Sequence, residues 1–420
     1  MGKYIIKGGK RLKGEVVVNG SKNAVLPILS ASLINSRESV LTNCPDITDV
    51  SVTCEILKSL GCTVKRDGKV LTVNSSGISN VLVPKDMAEK MRSSILFLGV
   101  LLGKFGSVSI NKPGGCAIGK RPVDIHLDAL KALGAEISET DTTIECTAKE
   151  LMGTDIYLPF ASVGATENTM LAAVFAKGQT IIHNAAREPE IWALQEYMKT
   201  IGVTVRGAGT PTVFISGCKK YSDAEIDIIS DRIEAGTYLT AAAMTKGEVF
   251  LKNINWTYMC KTLELMTEFG CEIKVQKDSI YLKAPKKTKS LNLIRTGVYP
   301  SFATDMQPII MSLLTTSSGT SIIIEQMFEN RFSHADELNK MGAKISAQTR
   351  VAIIEGVKQL KGAEVNATDL RAGAALIVAG LGAKGTTIVN NADFVRRGYE
   401  NIEKNLHGLG AEIKFCDGEN

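Results

Sequence analysis

The feature that most constrains this chain is an internal repeat. A helix tail that ends in glycine and runs into a strand occurs six times: SLGCTVKR from Ser59, ALGAEISE from Ala132, TIGVTVRG from Thr200, EFGCEIKV from Glu268, KMGAKISA from Lys340 and GLGAEIKF from Gly408. The glycines fall at 61, 134, 202, 270, 342 and 410, at intervals of 73, 68, 68, 72 and 68 residues, so insertions between copies are small. A second phrase interleaves with the first, a β-branched strand that ends in Asn or another polar residue. It is seen as GSVSIN from Gly106, GQTIIHN from Gly178, GEVFLKN from Gly247, GTSIIIE from Gly319 and GTTIVNN from Gly385, with ESVLTN from Glu38 as the first copy. An apolar helix precedes each of these strands, and an amphipathic helix leads on to the next glycine phrase. One such unit cannot close a core alone, whereas three can. Six units therefore predict two related α/β halves, divided near Ser230 and facing each other across a cleft.

The chain has 420 residues, 44% hydrophobic and 22% charged, enough to bury sizeable cores. Its 49 Lys and Arg against 44 Asp and Glu leave a net charge of +5, too balanced for nucleic-acid binding by bulk charge. The longest apolar stretches, Ile95 to Leu102 and Ala374 to Gly382, fall short of the roughly 20 residues that cross a bilayer and predict buried core helices. The amino terminus carries no signal-peptide pattern, so a cytosolic protein without membrane association is expected. Nine cysteines without CxxC spacing predict reduced thiols rather than a disulfide framework or a zinc site. His126, His183, His334 and His407 form no metal-ligand spacing.

The first helix of each unit opens on polar residues, where unpaired N–H groups and the positive end of the dipole are available. The set is Lys22-Asn23, Arg92-Ser93, Ser162-Val163-Gly164, Asp231-Arg232, Thr304-Asp305 and Asp369-Leu370-Arg371. Capping accounts for Ser, Thr and Asp. It does not account for Lys22, Arg92 or Arg371, because a cation at a helix N-terminus opposes the dipole. An anionic ligand bound there would resolve the conflict.

The richest loop is Lys112-Pro113-Gly114-Gly115-Cys116-Ala117-Ile118-Gly119-Lys120-Arg121-Pro122-Val123-Asp124-Ile125-His126. It approaches a phosphate-binding P-loop, but Arg121 and Pro122 stand where the magnesium-binding Ser or Thr would be. What remains is a glycine loop with one thiol and two cations. Cys62 and Cys271 occupy positions filled by Ala135, Val203, Ala343 and Ala411 in other copies, which makes them small core residues. Cys116 has no such equivalent. Beside Lys120 and Arg121 its thiolate would be stabilised, which suits a nucleophile or proton donor, the competing reading being an unreactive surface thiol. Arg331 and the Arg396-Arg397 pair occupy equivalent strand-to-helix loops.

Eight segments then resemble one family in order along the whole chain: GSKNAVLP from Gly20, PGGCAIGKRPVDIH from Pro113, SVGATEN from Ser162, DRIEAGT from Asp231, TDMQP from Thr304, ENRF from Glu329, DLRAG from Asp369 and RGYENI from Arg397. The sequence is similar to the UDP-N-acetylglucosamine enolpyruvyl transferases. The resemblance implies an inside-out α/β barrel fold of six βαβαββ units in two similar domains. One domain would span 22–229 and carry the Cys116 loop, and the other would comprise 1–21 with 230–420.

The implied reaction moves enolpyruvyl from phosphoenolpyruvate to the 3-hydroxyl of UDP-N-acetylglucosamine through a tetrahedral ketal, with release of phosphate and no metal or organic cofactor. It opens peptidoglycan precursor synthesis. Carried over by motif, Cys116 would add to phosphoenolpyruvate and act as an acid, and Asp305 would take the hydroxyl proton. Lys22, Arg121 and Arg397 would hold phosphoenolpyruvate, Arg92 and Arg371 would add positive field, and Arg331 would help bind and close around the substrates. Asn23 and Asp305 would contact the sugar, with Met327 beside it. Arg121, Pro122, Val123, Asp124 and Leu370 would line the uridine end, and Ser162, Val163 and Gly164 would meet the diphosphate. Phe160, where some relatives carry a lysine, and Arg396, where an acid is usual, depart from the family pattern. Competing readings are the sister transferase acting on shikimate 3-phosphate, which lacks the cysteine loop, and a catalytically silent UDP-sugar-binding paralogue.

Overall fold

The glycine of the repeated phrase has a conformational cause. In the computed structural model, which describes residues 2–112 and 123–418, Gly61, Gly134, Gly202, Gly270, Gly342 and Gly410 all adopt positive φ, from +87° at Gly342 to +114° at Gly270. Each ends a helix in the left-handed region, which side chains with a Cβ enter only at a cost, and turns the chain into a strand.

The fifth repeat shows the plan in continuous chain. Strand Leu293–Arg295 leads through helix Gln307–Leu314 to strand Thr320–Ile324, then through helix His334–Lys340 to the hairpin Lys344–Gln348 and Val351–Glu355. The first two strands pair in parallel, and the hairpin adds antiparallel through its second strand. Four of the other five sheets have the same four-stranded order. In the sheet of Ser107–Asn111, Thr143–Thr147 and Glu136–Glu139, the first strand shrinks to a parallel bridge from Leu82 to Ser109.

Three strands come from distant parts of the chain. Ala224–Asp227 pairs in parallel with Glu38–Thr42, and Lys13–Val17 does so with Glu248–Lys252. Lys3–Lys7 lies between Thr386–Asn390 and Glu412–Cys416, antiparallel to both. The amino-terminal segment thus completes the fourth and sixth repeats.

The Asn of the second phrase has a cause as well. Asn43, Asn184, Asn253 and Asn391 turn out of their strands at φ of 52 to 58°, a region that Asn tolerates better than most residues. Each side chain donates back to the carbonyl just beyond the parallel first strand: to Ile228, Leu158 and Val18 at 2.8, 2.9 and 2.8 Å, and to Ala367 at 3.3 Å. The same residue ends one strand and anchors its neighbour.

Among the described residues the chain divides into two compact units, 20–229 and 2–19 with 230–418, each with its own hydrophobic core. In each unit three inner helices are buried along nearly their whole length and three sheets lie outside them. The inner helices are Lys22–Ala31, Leu96–Phe105 and Val163–Ala173 in one unit, and Arg232–Met244, Gln307–Leu314 and Leu370–Gly382 in the other. The second helix of each repeat, such as Thr48–Ser59 or Cys260–Phe269, buries one face, as its amphipathic pattern predicts. Of the two apolar stretches singled out in the sequence, Ala374 to Gly382 lies within Leu370–Gly382, and Ile95 to Leu102 runs from the last residue of the 3₁₀ turn Arg92–Ile95 into Leu96–Phe105. No helix among the described residues is long and apolar enough to cross a membrane.

Close helix contact depends on small residues. A Cβ built on Gly99 would fall 2.4 Å from the Asn168 carbonyl oxygen, and Gly99 N–H donates to Asn168 Oδ1 at 2.8 Å. The expected outcome for Gly99→Ala is a loss of about 1–3 kcal/mol through overpacking, read as a lower urea midpoint for the 20–229 unit. An unchanged midpoint would refute this account of the helix contact.

Candidate active site

In the 20–229 unit the three inner helices begin at the residues that the sequence marked. Lys22 opens its helix, and its Nζ lies 3.1 Å from Asp49 Oδ2, in the first turn of helix Thr48–Ser59. Asp49 therefore meets part of the conflict between cation and dipole that the sequence alone left to a bound anion. Asn23, next in the helix, is half-buried, and so is Arg92, which opens the 3₁₀ turn Arg92–Ile95 leading into Leu96–Phe105. Ser162 caps its helix by accepting from Ala165 N–H at 3.3 Å, with Val163 and Gly164 in the first turn.

His126, left open in the sequence between capping and packing, packs. A Cβ on Gly164 would lie 3.0 Å from its Cε1, and Asn168 Nδ2 donates to its Nδ1 at 3.3 Å. Because Asn168 Oδ1 already accepts from Gly99, its amide orientation is set, and the neutral ring carries its proton on Nε2. Burial, with help from the Arg92 cation, lowers the His126 pKa from 6.5 to about 4. Glu167, fully buried on the same helix, is pushed well above the usual carboxylate range by burial and by Glu190 and Glu188. Val123 and Asp124 lie at the start of helix Asp124–Ala132. Cys116, Arg121 and Pro122 lie outside the described residues.

In the other unit a carboxylate takes the central place. Arg331 Nη2 donates to Asp305 Oδ1 at 3.1 Å, and Arg371 donates to Oδ2 from Nε at 3.2 Å and from Nη2 at 3.0 Å. The two arginine side chains are 2% and 3% exposed, whereas Asp305 keeps 27% exposure. Two buried cations thus hold both oxygens of a carboxylate that solutes can still reach. Asp369 caps helix Leu370–Gly382, accepting from Arg371 and Ala372 N–H, and also lies 3.6 Å from Arg331 Nη1. Burial disfavours the charge on Arg371, but Asp305, Tyr399 and Asp231 outweigh it and raise the pKa. The Tyr399 ring lies 5.5 Å from the Arg371 guanidinium, and its hydroxyl is 2.8 Å from Thr237 Oγ1.

Asp231 caps helix Arg232–Met244 through Ile233 and Glu234 N–H. Glu234 is pushed up to about 7 by burial and by Asp231, although it accepts from Asn19 N–H and Nδ2 and from the Tyr238 hydroxyl. Leu370 opens its helix, Met327 donates its N–H to Glu325 Oε1 at 2.8 Å, and Arg397 follows helix Asp393–Arg396 half-buried. Arg396, which departs from the family pattern, lies over Phe415 at 4.3 Å from the ring centre. Cys62 and Cys271 are core residues, their thiols pushed up to about 11 and about 12 by burial.

The model of the EPSP synthase (3-phosphoshikimate 1-carboxyvinyltransferase) family matches residues 6–406. The chain is 47% identical to UDP-N-acetylglucosamine 1-carboxyvinyltransferase 2 of Caldanaerobacter subterraneus subsp. tengcongensis, over 98% of this chain and 99% of that protein. It belongs to the enolpyruvyl transferase family. Within that family it is also 46% identical to the UDP-N-acetylglucosamine 1-carboxyvinyltransferase 2 of Clostridium tetani, over 98% of this chain and 99% of the relative. The enolpyruvyl transferase NikO from Streptomyces tendae shares the fold at a TM-score of 0.90 and 23% identity, with 100% of both chains covered. The EPSP synthase from Acinetobacter baumannii does so at 0.76 and 18%, over 99% of this chain and 100% of that one. The enolpyruvyl transferase fold with sheets outside and helices inside, expected from the resemblance, is thus the fold of this chain.

The sequence marked Lys22, Arg92, Asp305, Arg331 and Arg371 but not Asp49 as the partner of Lys22, nor Tyr399 and Thr237 beside Arg371. Asp49 is separated from Lys22 by a whole strand, and Tyr399 and Thr237 lie in different repeats, so no spacing signals these contacts. Among the described residues no group of His, Cys, Asp and Glu could hold a metal ion. His126 yields a pH prediction. Its folded pKa lies below its unfolded value, so it contributes stability above pH 6.5 that is lost as pH falls toward 4. The difference corresponds to about 3 kcal/mol, so wild type should lose more stability than His126→Asn between pH 7 and pH 4.5 in urea unfolding. Parallel pH curves for the two proteins would contradict this.

Proposed function

We propose that this member of the enolpyruvyl transferase family carries out the reaction in the names of its relatives, transfer of the carboxyvinyl group to UDP-N-acetylglucosamine. The observation that carries the reading is Asp305, a reachable carboxylate fixed at both oxygens by buried arginines, in a chain 44–47% identical to such transferases nearly end to end. The 3-hydroxyl oxygen of the sugar adds to C2 of phosphoenolpyruvate while a proton is delivered to C3, giving a tetrahedral ketal. Loss of a proton from that new methyl group, with departure of phosphate, restores the double bond.

Each step asks for a definite group. Asp305 takes the hydroxyl proton. Its orientation costs nothing at the moment of reaction because Arg331 and Arg371 already hold it. Cys116 serves as the acid that delivers the proton to C3; where its thiolate instead adds to C2 together with that proton, the C–S bond must break again, with return of the thiolate, before the sugar oxygen bonds to C2, and both roles rest on the motif PGGCAIGKRP. Lys22, Arg121 and Arg397 hold phosphoenolpyruvate, with Arg92 and Arg371 adding positive field. Asn23 and Met327 adjoin the sugar, Pro122, Val123, Asp124 and Leu370 the uridine, and Ser162, Val163 and Gly164 the diphosphate. The product feeds peptidoglycan synthesis in the cytoplasm, and an epoxide mimic of phosphoenolpyruvate such as fosfomycin would alkylate Cys116.

The test is phosphate release on mixing the protein with phosphoenolpyruvate and each acceptor in turn. Release with UDP-N-acetylglucosamine, none with shikimate 3-phosphate, and at least a hundredfold loss in Cys116→Ala and Asp305→Ala is expected, on the order of what removing an acid or base costs. Binding of the UDP-sugar without phosphate release would refute the reading.

A further inference from the structure

The repeats identify which residues depart from a common structural role. Six residues after the position of the strand-opening glycine, four repeats place Asn43, Asn184, Asn253 and Asn391, each tethering the neighbouring first strand. The other two repeats place Lys112 and Glu325 there. Lys112 leads into the loop of Cys116, and Glu325 belongs to the repeat that carries Asp305. Lys112 Nζ lies 3.4 Å from Glu139 on the outer hairpin, which is an ordinary half-exposed ion pair. Glu325 is different.

Glu325 is fully buried and holds four donors. Its Oε1 accepts from Thr296 Oγ1 at 2.8 Å, which ties the same point of the neighbouring strand with the opposite hydrogen-bond direction, because Thr296 directly follows first strand Leu293–Arg295. The same oxygen accepts from the N–H groups of Met327 at 2.8 Å and Phe328 at 3.2 Å, in the turn leading to Arg331. Its Oε2 accepts from Thr304 Oγ1 at 2.9 Å, next to Asp305. An Asn has one acceptor oxygen on a shorter stem and cannot make the last contact while keeping the first. Both segments that Glu325 adds to the tether lead to a charged group at the site: Thr304 to Asp305, and the 327–328 turn to Arg331.

We propose that Glu325 is a positioning residue for the transfer reaction, holding the Thr304-Asp305 turn and the 327–328 turn in one frame so that Arg331 meets Asp305. The proposal rests on Asp305 as the base. A buried carboxylate with four donors is rigid, and a displacement of about 1 Å at a reacting group can cost on the order of a hundredfold in rate.

The test uses the residue that the other repeats supply. Glu325→Asn keeps the strand tether and removes the reach to Thr304, and Thr304→Val removes that contact alone. For both, kcat should fall by about tenfold or more while the KM for phosphoenolpyruvate stays within about threefold, since Lys22, Arg121 and Arg397, proposed to hold that substrate, are not on the segments that Glu325 ties. The thermal midpoint of Glu325→Asn should stay within a few degrees of wild type, and Glu325→Gln, which keeps the reach, should recover most of the rate. Wild-type kcat in Thr304→Val would overturn the proposal. So would a loss in Glu325→Asn that merely tracks the folded fraction. Should Glu325→Asn not fold, Thr304→Val decides. A crystal structure of Thr304→Val separates this proposal from the functional reading, because it needs no turnover. Displacement of the Asp305 carboxylate from its 3.1 Å contact with Arg331 supports the proposal even if wild type releases no phosphate, and an unmoved Asp305 overturns it.

Discussion

An α-helix that is buried on every side must be covered by protein all round, and each of the six repeats of this chain supplies one. That constraint organises everything else. The buried helices occupy the centre of each unit, and the sheets form outside them because their hairpins have one face to bury and one to expose. The helices approach closely enough for Gly99 to touch the Asn168 backbone. A buried helix still has unpaired N–H groups at its start, and these need polar company. The polar residues of the chain therefore gather at six comparable places.

What differs among the six starts is how the charge is met. Ser162, Asp231 and Asp369 cap their helices by side-chain acceptance, which is the ordinary solution. Lys22 and Arg371 are cations at the positive end of a dipole, each facing a carboxylate, Asp49 or Asp305. Asp305 is the less buried of those two acids, held from both sides by arginines that reach solvent hardly at all. Removing it would leave two guanidinium groups buried without their partner, a situation that costs about 3–5 kcal/mol in other proteins. The arrangement that fixes the Asp305 carboxylate also makes it part of the fold.

The repeats, the two most apolar of the inner helices, the core cysteines and the helix-start residues were all legible in the sequence, because each depends on local pattern or on comparison between copies. The parallel first strands were not. Leu293–Arg295, Asp155–Tyr157 and Glu364–Asn366 have three residues each, too few for an alternating pattern to stand out. Lys3–Lys7 pairs with residues 386–390 and 412–416 at the far end of the chain, so its partner could not be read from periodicity. The Asn that ends four strands was visible as a letter, but its reason, a turn at positive φ that also ties down the next strand, is a property of the fold. In the sequence Glu325 is one more polar strand end, and its four donors come from segments that only the fold brings together. Cys116, the most informative single residue of the sequence, rests on its motif.

In the reaction we propose, this chain adds a proton to C3 of phosphoenolpyruvate to form a ketal with a true methyl group, with Asp305 as the base for the sugar. The most direct measurement is mass spectrometry of the product formed in deuterium oxide. If the claim is right, deuterium appears in the vinyl group of the UDP-sugar product, and neither product nor label forms with Asp305→Ala. Turnover that leaves the vinyl group free of deuterium, or labelled product from Asp305→Ala at the wild-type rate, would contradict it.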